Sequence, residues 1–162
     1  MEKIAVFPGS FDPFTVGHES VLCRALPLFD KIVVMIGVNN TKKSLFPIES
    51  RKVMIEELFS NDPKVEVQIY DGLTVDFCKK IEATHILRGL RTSADFEYER
   101  AIAQVNKKMF PAIETVFLLT LPEHTPINSS VVRDIITHHG DVSMFVPKKL
   151  ELKKYLADEN FG

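Results

Sequence analysis

The chain has 162 residues, 45% of them apolar, and a net charge of −2. One domain's worth of chain with that much apolar material can bury a real core. The near-neutral balance offers no strong basic field for nucleic acid and no run of like charge suggesting a tail. No stretch approaches the ~20 apolar residues of a membrane span, and the opening residues are too short an apolar run for a signal peptide. Cys23 and Cys78 lie far apart inside apolar helical patterns, which predicts free, buried thiols in a reducing compartment. The expectation is a soluble cytoplasmic protein of one domain, residues 1–162, binding neither nucleic acid nor membrane.

In chain order, short Ile/Val-rich runs alternate with longer helical patterns. Strands are predicted at 3–7, 31–38, 64–70, 84–89 and 114–119. Helices are predicted at 17–29, 48–60, 74–82, 93–109 and 129–138, with a terminal helix at 148–158. In the fourth helix Tyr98, Ala101, Val105 and Met109 recur at three or four residues, an apolar face expected to pack inward. Thr92 or Ser93 is its natural cap. Strictly alternating strands and helices predict an α/β fold: one doubly wound, Rossmann-like domain with a five-stranded parallel sheet covered on both faces. The common order is 3-2-1-4-5, in which the first and fourth strands meet where the winding reverses. Ligands bind outside the carboxyl ends of the strands at that point.

The loops that open there are unusual. After the first strand comes Pro8-Gly9-Ser10-Phe11-Asp12-Pro13-Phe14-Thr15-Val16-Gly17-His18. Gly9 allows close backbone approach to a ligand, and Ser10 offers a hydroxyl and an N–H. Thr15 is a good N-cap. It places Gly17 and His18 in a first helical turn, where free N–H groups and the dipole favour an anion. A histidine there can equally be a plain surface residue. After the fourth strand comes Arg88-Gly89-Leu90-Arg91. Each arginine either pairs with Asp95, Glu97 or Glu99, or clamps phosphate. After the second strand, Lys42 and Lys43 reach the same edge, as phosphate ligands or as a solvated pair. There is no P-loop, no G-x-G-x-x-G fingerprint and no Cys/His spacing for zinc, and His138-His139 read as a helix-end feature rather than metal ligands.

Thr15-Val16-Gly17-His18 matches the [HT]-x-G-H signature of the nucleotidyltransferase superfamily. "FPGSFDPFTVGH", "RGLR" (88–91) and "DFEYE" (95–99), in that order over nearly the whole chain, resemble bacterial phosphopantetheine adenylyltransferases. Relatives sharing only the first motif include mononucleotide adenylyltransferases and glycerol-phosphate cytidylyltransferases. The resemblance implies adenylyl transfer from ATP to 4′-phosphopantetheine, giving dephospho-coenzyme A and pyrophosphate. It implies a catalytic group of Ser10, His18, Lys42 and Arg91, with His18 stabilising the transition state. ATP would be held by Ser10, Phe11, His18, Gly89, Leu90, Arg91, Glu99, His124, Thr125, Pro126, Ile127, Asn128, Ser129 and Ser130. The acceptor would be held by Ser10, Lys42, Thr74 and Arg88. The same resemblance implies Mg²⁺ arriving with ATP and no protein-held metal, a homohexamer, and coenzyme A as a feedback ligand. The alternatives are another phosphate acceptor, such as nicotinamide mononucleotide, or a non-catalytic nucleotide sensor. The chain departs from the family pattern at Val16 (often Asn), at Asn128 (often Ser) and at Pro126, near an expected aromatic residue.

Overall fold

Five apolar runs form one parallel sheet in a computed structural model that describes residues 1–156. The strands are β1 (Ile4–Gly9), β2 (Lys31–Gly37), β3 (Val65–Tyr70), β4 (His85–Leu90) and β5 (Glu114–Leu119). The helices are α1 (Val16–Ala25), α2 (Ile48–Leu58), α3 (Thr74–Lys80), α4 (Ser93–Met109) and α5 (Ser129–Thr137). The strand order is β3-β2-β1-β4-β5, as the alternation of elements predicts. No helix among the described residues is long and apolar enough to cross a membrane.

Both sheet faces are buried, so successive strand residues serve opposite cores. Ala5, Phe7, Ile32, Val34 and Ile36 join α1 and α2 in one cluster, and Val6, Val33, Met35 and Ile86 join α3 in another. A third cluster lies to one side, where Phe46, Met54, Val132 and Ile136 meet Val146, Leu150, Leu152 and Leu156. It fastens the C-terminal segment to α2 and α5. The helix predicted at 148–158 is absent over its described part. The chain turns instead, with one 3₁₀ turn at Leu152–Lys154. Leucines spaced two and then four residues apart all reach one cluster, and no straight helix face offers that spacing. Residues 157 and 158 lie outside the described residues.

Three further expectations are corrected. The first predicted helix ends at Ala25 and passes into a 3₁₀ turn, Leu26–Leu28, where Pro27 cannot donate to a continuing α-helix. In α4 the only buried residue is Glu99. Tyr98, Ala101, Val105 and Met109 are exposed on the single chain, with Phe96 and Ile102 beside them. The helix packs on β4 and β5 through the side that carries Glu99, and its apolar stripe looks away from the core. Cys78 is buried as expected, but Cys23 is exposed on α1.

One detail of register opens the site. β1 pairs with β2 over six residues, and β4 pairs with β5 over six. β1 and β4 pair only at Ala5↔His85 and Val6↔Ile86. Pro8 has no N–H to donate toward β4, so the β1–β4 ladder does not extend to it, while the β1–β2 ladder runs on through Pro8↔Met35 and Gly9↔Ile36. The Pro8 carbonyl instead accepts Nη1–H of Arg88 at 2.6 Å. The central strands therefore part at their carboxyl ends, at the reversal of winding.

Candidate active site

The 9–18 loop folds back on itself. Phe11 adopts a left-handed backbone (φ 49°) and its ring is buried among Phe7, Phe14 and His18. A Cβ on Gly9 would lie 2.9 Å from that ring. The loop's own Phe11 thus already demands glycine at position 9, whose backbone also lines both hollows described below. Packed in this way, Phe11 is almost wholly buried.

Thr15 caps α1 as predicted, and His18 returns the bond: the Thr15 N–H donates to His18 Nδ1 at 3.0 Å. An Nδ1 that accepts a backbone N–H carries no proton, so the neutral ring bears its proton on Nε2. The ring edge reaches the cavity, yet enough protein surrounds it that burial, then Arg88 and Arg91, lower its pKa to about 4. His18 is therefore a neutral N–H donor at neutral pH.

Arg88 is held rather than loose. Its Nε donates to Glu99 Oε2 at 2.8 Å and its Nη2 to Glu99 Oε1 at 2.5 Å, while Nη1 takes the Pro8 carbonyl. Three of its N–H donors are committed, and two of the five remain for an anion. The alternatives left open by the sequence thus combine: Arg88 has an acid partner and free donors. Glu99, 8% exposed with both oxygens engaged, orients Arg88. Arg91 pairs with Asp95, Nε to Oδ2 at 3.2 Å. Lys42 makes no ion pair among the described residues. At α5, Asn128 Oδ1 accepts the Val131 N–H at 3.0 Å, and the Ser129 hydroxyl donates to the Pro13 carbonyl at 2.8 Å, tying this helix start to the first loop.

Two hollows flank this centre. One, ≈ 330 Å³, is lined by His18, Lys42, Arg91 and the start of α5 from Ile127 to Ser130. The other, ≈ 340 Å³, is lined by Asn39, Thr74, Tyr98, Ile102 and Asn106. Both are bounded by Pro8, Gly9, Ser10, Arg88 and Glu99. Two molecules seated side by side would meet at Ser10 and Arg88.

Most of the predicted site residues come together here: Ser10, Phe11, His18, Lys42, Arg88, Gly89, Arg91, Glu99, Ile127, Asn128, Ser129 and Ser130 around the first hollow, and Thr74 in the second. Leu90 does not; its side chain is buried. His124, Thr125 and Pro126 lie at and just after a 3₁₀ turn (Pro122–His124), outside the lining of either hollow, and His124 faces a separate groove with Glu19, Cys23 and Lys149. Sequence reasoning missed Asp12, Arg51 and Arg133. Asp12 is 4% exposed and Arg51 5% exposed. Arg133 donates to the Asp12 carbonyl at 2.9 Å. The available signal for Arg51 was its helical spacing, since Arg51, Met54 and Ile55 share the buried face of α2. Among the described residues no group of three or more His, Cys, Asp or Glu could hold a metal.

The sequence matches the family described as Cytidylyltransferase-like over residues 6–135. It is 55% identical over 150 residues to a phosphopantetheine adenylyltransferase of Flavobacterium johnsoniae, covering 93% of this chain and 98% of that one. The chain belongs to the phosphopantetheine adenylyltransferase family. A second phosphopantetheine adenylyltransferase, from Bacteroides thetaiotaomicron, is 48% identical over 91% of this chain and 97% of its own. Among solved structures, a putative nicotinate-nucleotide adenylyltransferase from Vibrio parahaemolyticus shares the fold with a TM-score of 0.66 at 19% identity, covering 91% of this chain and 89% of its own. A Plasmodium falciparum nicotinic acid mononucleotide adenylyltransferase does so with a TM-score of 0.64 at 20% identity, covering 99% and 93%.

Of the departures from the phosphopantetheine adenylyltransferase pattern, Val16 and Pro126 lie outside the lining of both hollows, whereas Asn128 lines the first. Val16 lines the outer groove, and its N–H bonds the Phe145 carbonyl at 3.0 Å. Asn128 still caps α5. Pro126 is exposed and lines neither hollow.

Proposed function

We propose that this chain transfers the adenylyl group of ATP to 4′-phosphopantetheine, giving dephospho-coenzyme A and pyrophosphate in coenzyme A biosynthesis. The observation that carries the reading is the pair of hollows meeting at Ser10 and Arg88, in a chain 55% identical over nearly its full length to a phosphopantetheine adenylyltransferase.

ATP occupies the hollow at the α5 start, with its phosphates on Arg91, Ser129, Ser130 and the helix N–H groups. The pantetheine arm occupies the hollow of Thr74 and Ile102, with its phosphate on Ser10, Lys42 and the two spare donors of Arg88. A phosphate oxygen of the acceptor attacks the α-phosphorus, and the bond to the bridging oxygen of pyrophosphate breaks. A phosphate monoester is already anionic near pH 7 and needs no base. Catalysis is positioning and charge stabilisation. His18, neutral with its proton on Nε2, supplies a hydrogen-bond donor to the reacting phosphate. Asp12, Asp95 and Glu99 are engaged by protein partners, a donor set suited to Mg²⁺ that travels with the triphosphate and its waters. When bound, the ion supplies charge neutralisation on the phosphates.

Residues 1–162 act as one cytoplasmic domain. The chain assembles as a hexamer, supported by the exposed apolar stripe of α4, and coenzyme A binds as a feedback ligand across the two hollows. The test is pyrophosphate release from ATP and Mg²⁺ with each acceptor in turn. Release with 4′-phosphopantetheine is expected. Release only with nicotinamide mononucleotide would reverse the acceptor, and ATP binding without release from any acceptor would favour a sensor.

A further inference from the structure

Two buried charges beneath the site have no part in the chemistry above. Asp12 lies two residues beyond Ser10, with Oδ2 accepting the Leu45 N–H and Oδ1 the Phe46 N–H, both at 2.9 Å. Arg51 reaches up from α2. Its Nη1 donates to the Ser10 carbonyl at 2.7 Å, its Nε to the Phe46 carbonyl at 3.1 Å and its Nη2 to Ser44 Oγ at 3.2 Å. Together they make five hydrogen bonds. Four end on residues 44–46, and the fifth holds the backbone of Ser10.

Lys42 stands two residues before that fastening. On its other side the Asn39 side chain closes a turn on Thr41, accepting its N–H at 3.0 Å and its hydroxyl at 2.7 Å. The lysine itself is exposed and makes no ion pair among the described residues, so its placement depends on how the backbone on either side is held. Taking two charges out of water is costly, and replacing such charges by apolar groups is often neutral or stabilising. Here every hydrogen bond of both side chains converges on the junction between the Ser10 loop and the Lys42 loop, and Arg133 of α5 adds an ion pair to Asp12 at 4.0 Å. We propose that Asp12 and Arg51 are positioning residues that hold Lys42 in register with Ser10, so that one phosphate of the acceptor meets both. The proposal rests on the acceptor-phosphate role given above to Ser10 and Lys42.

The test uses Arg51→Gln, Arg51→Lys and Asp12→Asn in the full chain, with Lys42→Ala and the Lys42→Ala/Arg51→Gln double variant. Pyrophosphate release gives kcat and KM for 4′-phosphopantetheine, calorimetry gives ATP affinity, and thermal melts report folding. Arg51→Gln is expected to lower kcat/KM for the acceptor about 10²-fold, the scale of a 1 Å misplacement, with ATP affinity changed less than ~3-fold. Arg51→Lys should recover little, since an ammonium cannot match a planar fork directed at three oxygens. In the Lys42→Ala background Arg51→Gln should add less than ~2-fold, because the contact it serves is already gone. An additive double variant, an equal loss of ATP and acceptor affinity, or unchanged kinetics would overturn the proposal. So would loss of cooperative melting in both Arg51→Gln and Asp12→Asn, which would make the pair purely structural. Wild-type protein run in parallel separates the two levels: no turnover of 4′-phosphopantetheine by wild type defeats the functional reading and this proposal together, whereas wild-type turnover with an additive cycle defeats only the positioning role.

Discussion

Replacing His18 tests the proposed chemistry most directly. Its Nδ1 takes the Thr15 N–H at 3.0 Å, so only Nε2 can carry the proton toward substrate. With a pKa of about 4, roughly one ring in a thousand is protonated at pH 7. A neutral ring protonated on Nε2 cannot accept a proton there, so the group acts as a donor. Loss of one preorganised donor costs about 10²–10³ in kcat, or roughly 3–4 kcal/mol. His18→Ala should show that loss with ATP KM changed less than ~3-fold, since the contact strengthens in the transition state. His18→Gln or His18→Asn should recover part of it if the amide reaches. Wild-type kcat, followed from pH 5 to 9 by pyrophosphate release, should show no histidine limb near ~6.5. A limb there, with no rescue by either amide, would establish base catalysis and refute the reasoning. The same shift affects stability. Because the folded pKa lies below the unfolded value, the unfolded chain takes up the proton first, and wild-type stability falls as pH drops from 6.5 through 4. His18→Gln should lack that component, worth up to about 3 kcal/mol, in denaturant titrations at pH 7 and pH 4.

Arg88→Ala should chiefly raise KM for 4′-phosphopantetheine and, by stranding the buried carboxylate of Glu99, also lower Tm; Arg91→Ala should chiefly lower kcat and leave Tm nearer wild type, its Asp95 partner being more exposed. Equal effects of the two changes on every constant would reject this division. Gly9→Ala places a methyl 2.9 Å from the Phe11 ring and should destabilise the fold by about 1–3 kcal/mol in chemical denaturation; a neutral result would show that the loop yields freely. Light scattering at micromolar concentration should give a hexameric mass. Val105→Glu, on the exposed stripe of α4, should yield a smaller species, and an unchanged mass would remove α4 from the interface.

Local patterns in the chain determined much of this protein. Ile/Val runs alternating with helices specify a parallel sheet, because short apolar runs covered on both faces have few other solutions. The caps at Thr15, Thr92 and Asn128 are legible because each needs only residues within one turn of itself. Ser10, His18, Lys42, Arg88 and Arg91 could be singled out because they end strands or begin helices at the one edge where the winding reverses.

Tertiary structure decided what depends on partners distant in sequence. Periodicity marks α4 as apolar along Tyr98, Val105 and Met109 but cannot say whether that face meets the core or another surface. The C-terminal segment reads as a helix in sequence, whereas three leucines drawn to one cluster turn it. The proton position on His18 follows from an N–H three residues away, but its low pKa follows from burial and from arginines seventy or more residues distant. Glu99 is a ligand by motif and a holder of Arg88 by geometry, since only the packing of α4 on β4 brings its carboxylate to the guanidinium. Arg51 carried no signal of function, and Asp12 stood inside the FPGSFDPFTVGH stretch with nothing to say what it holds. The three of their hydrogen bonds that join separate loops span 33 to 41 residues, and a charge reads as solvent-facing in sequence until the folded chain supplies the partners that make its burial tolerable.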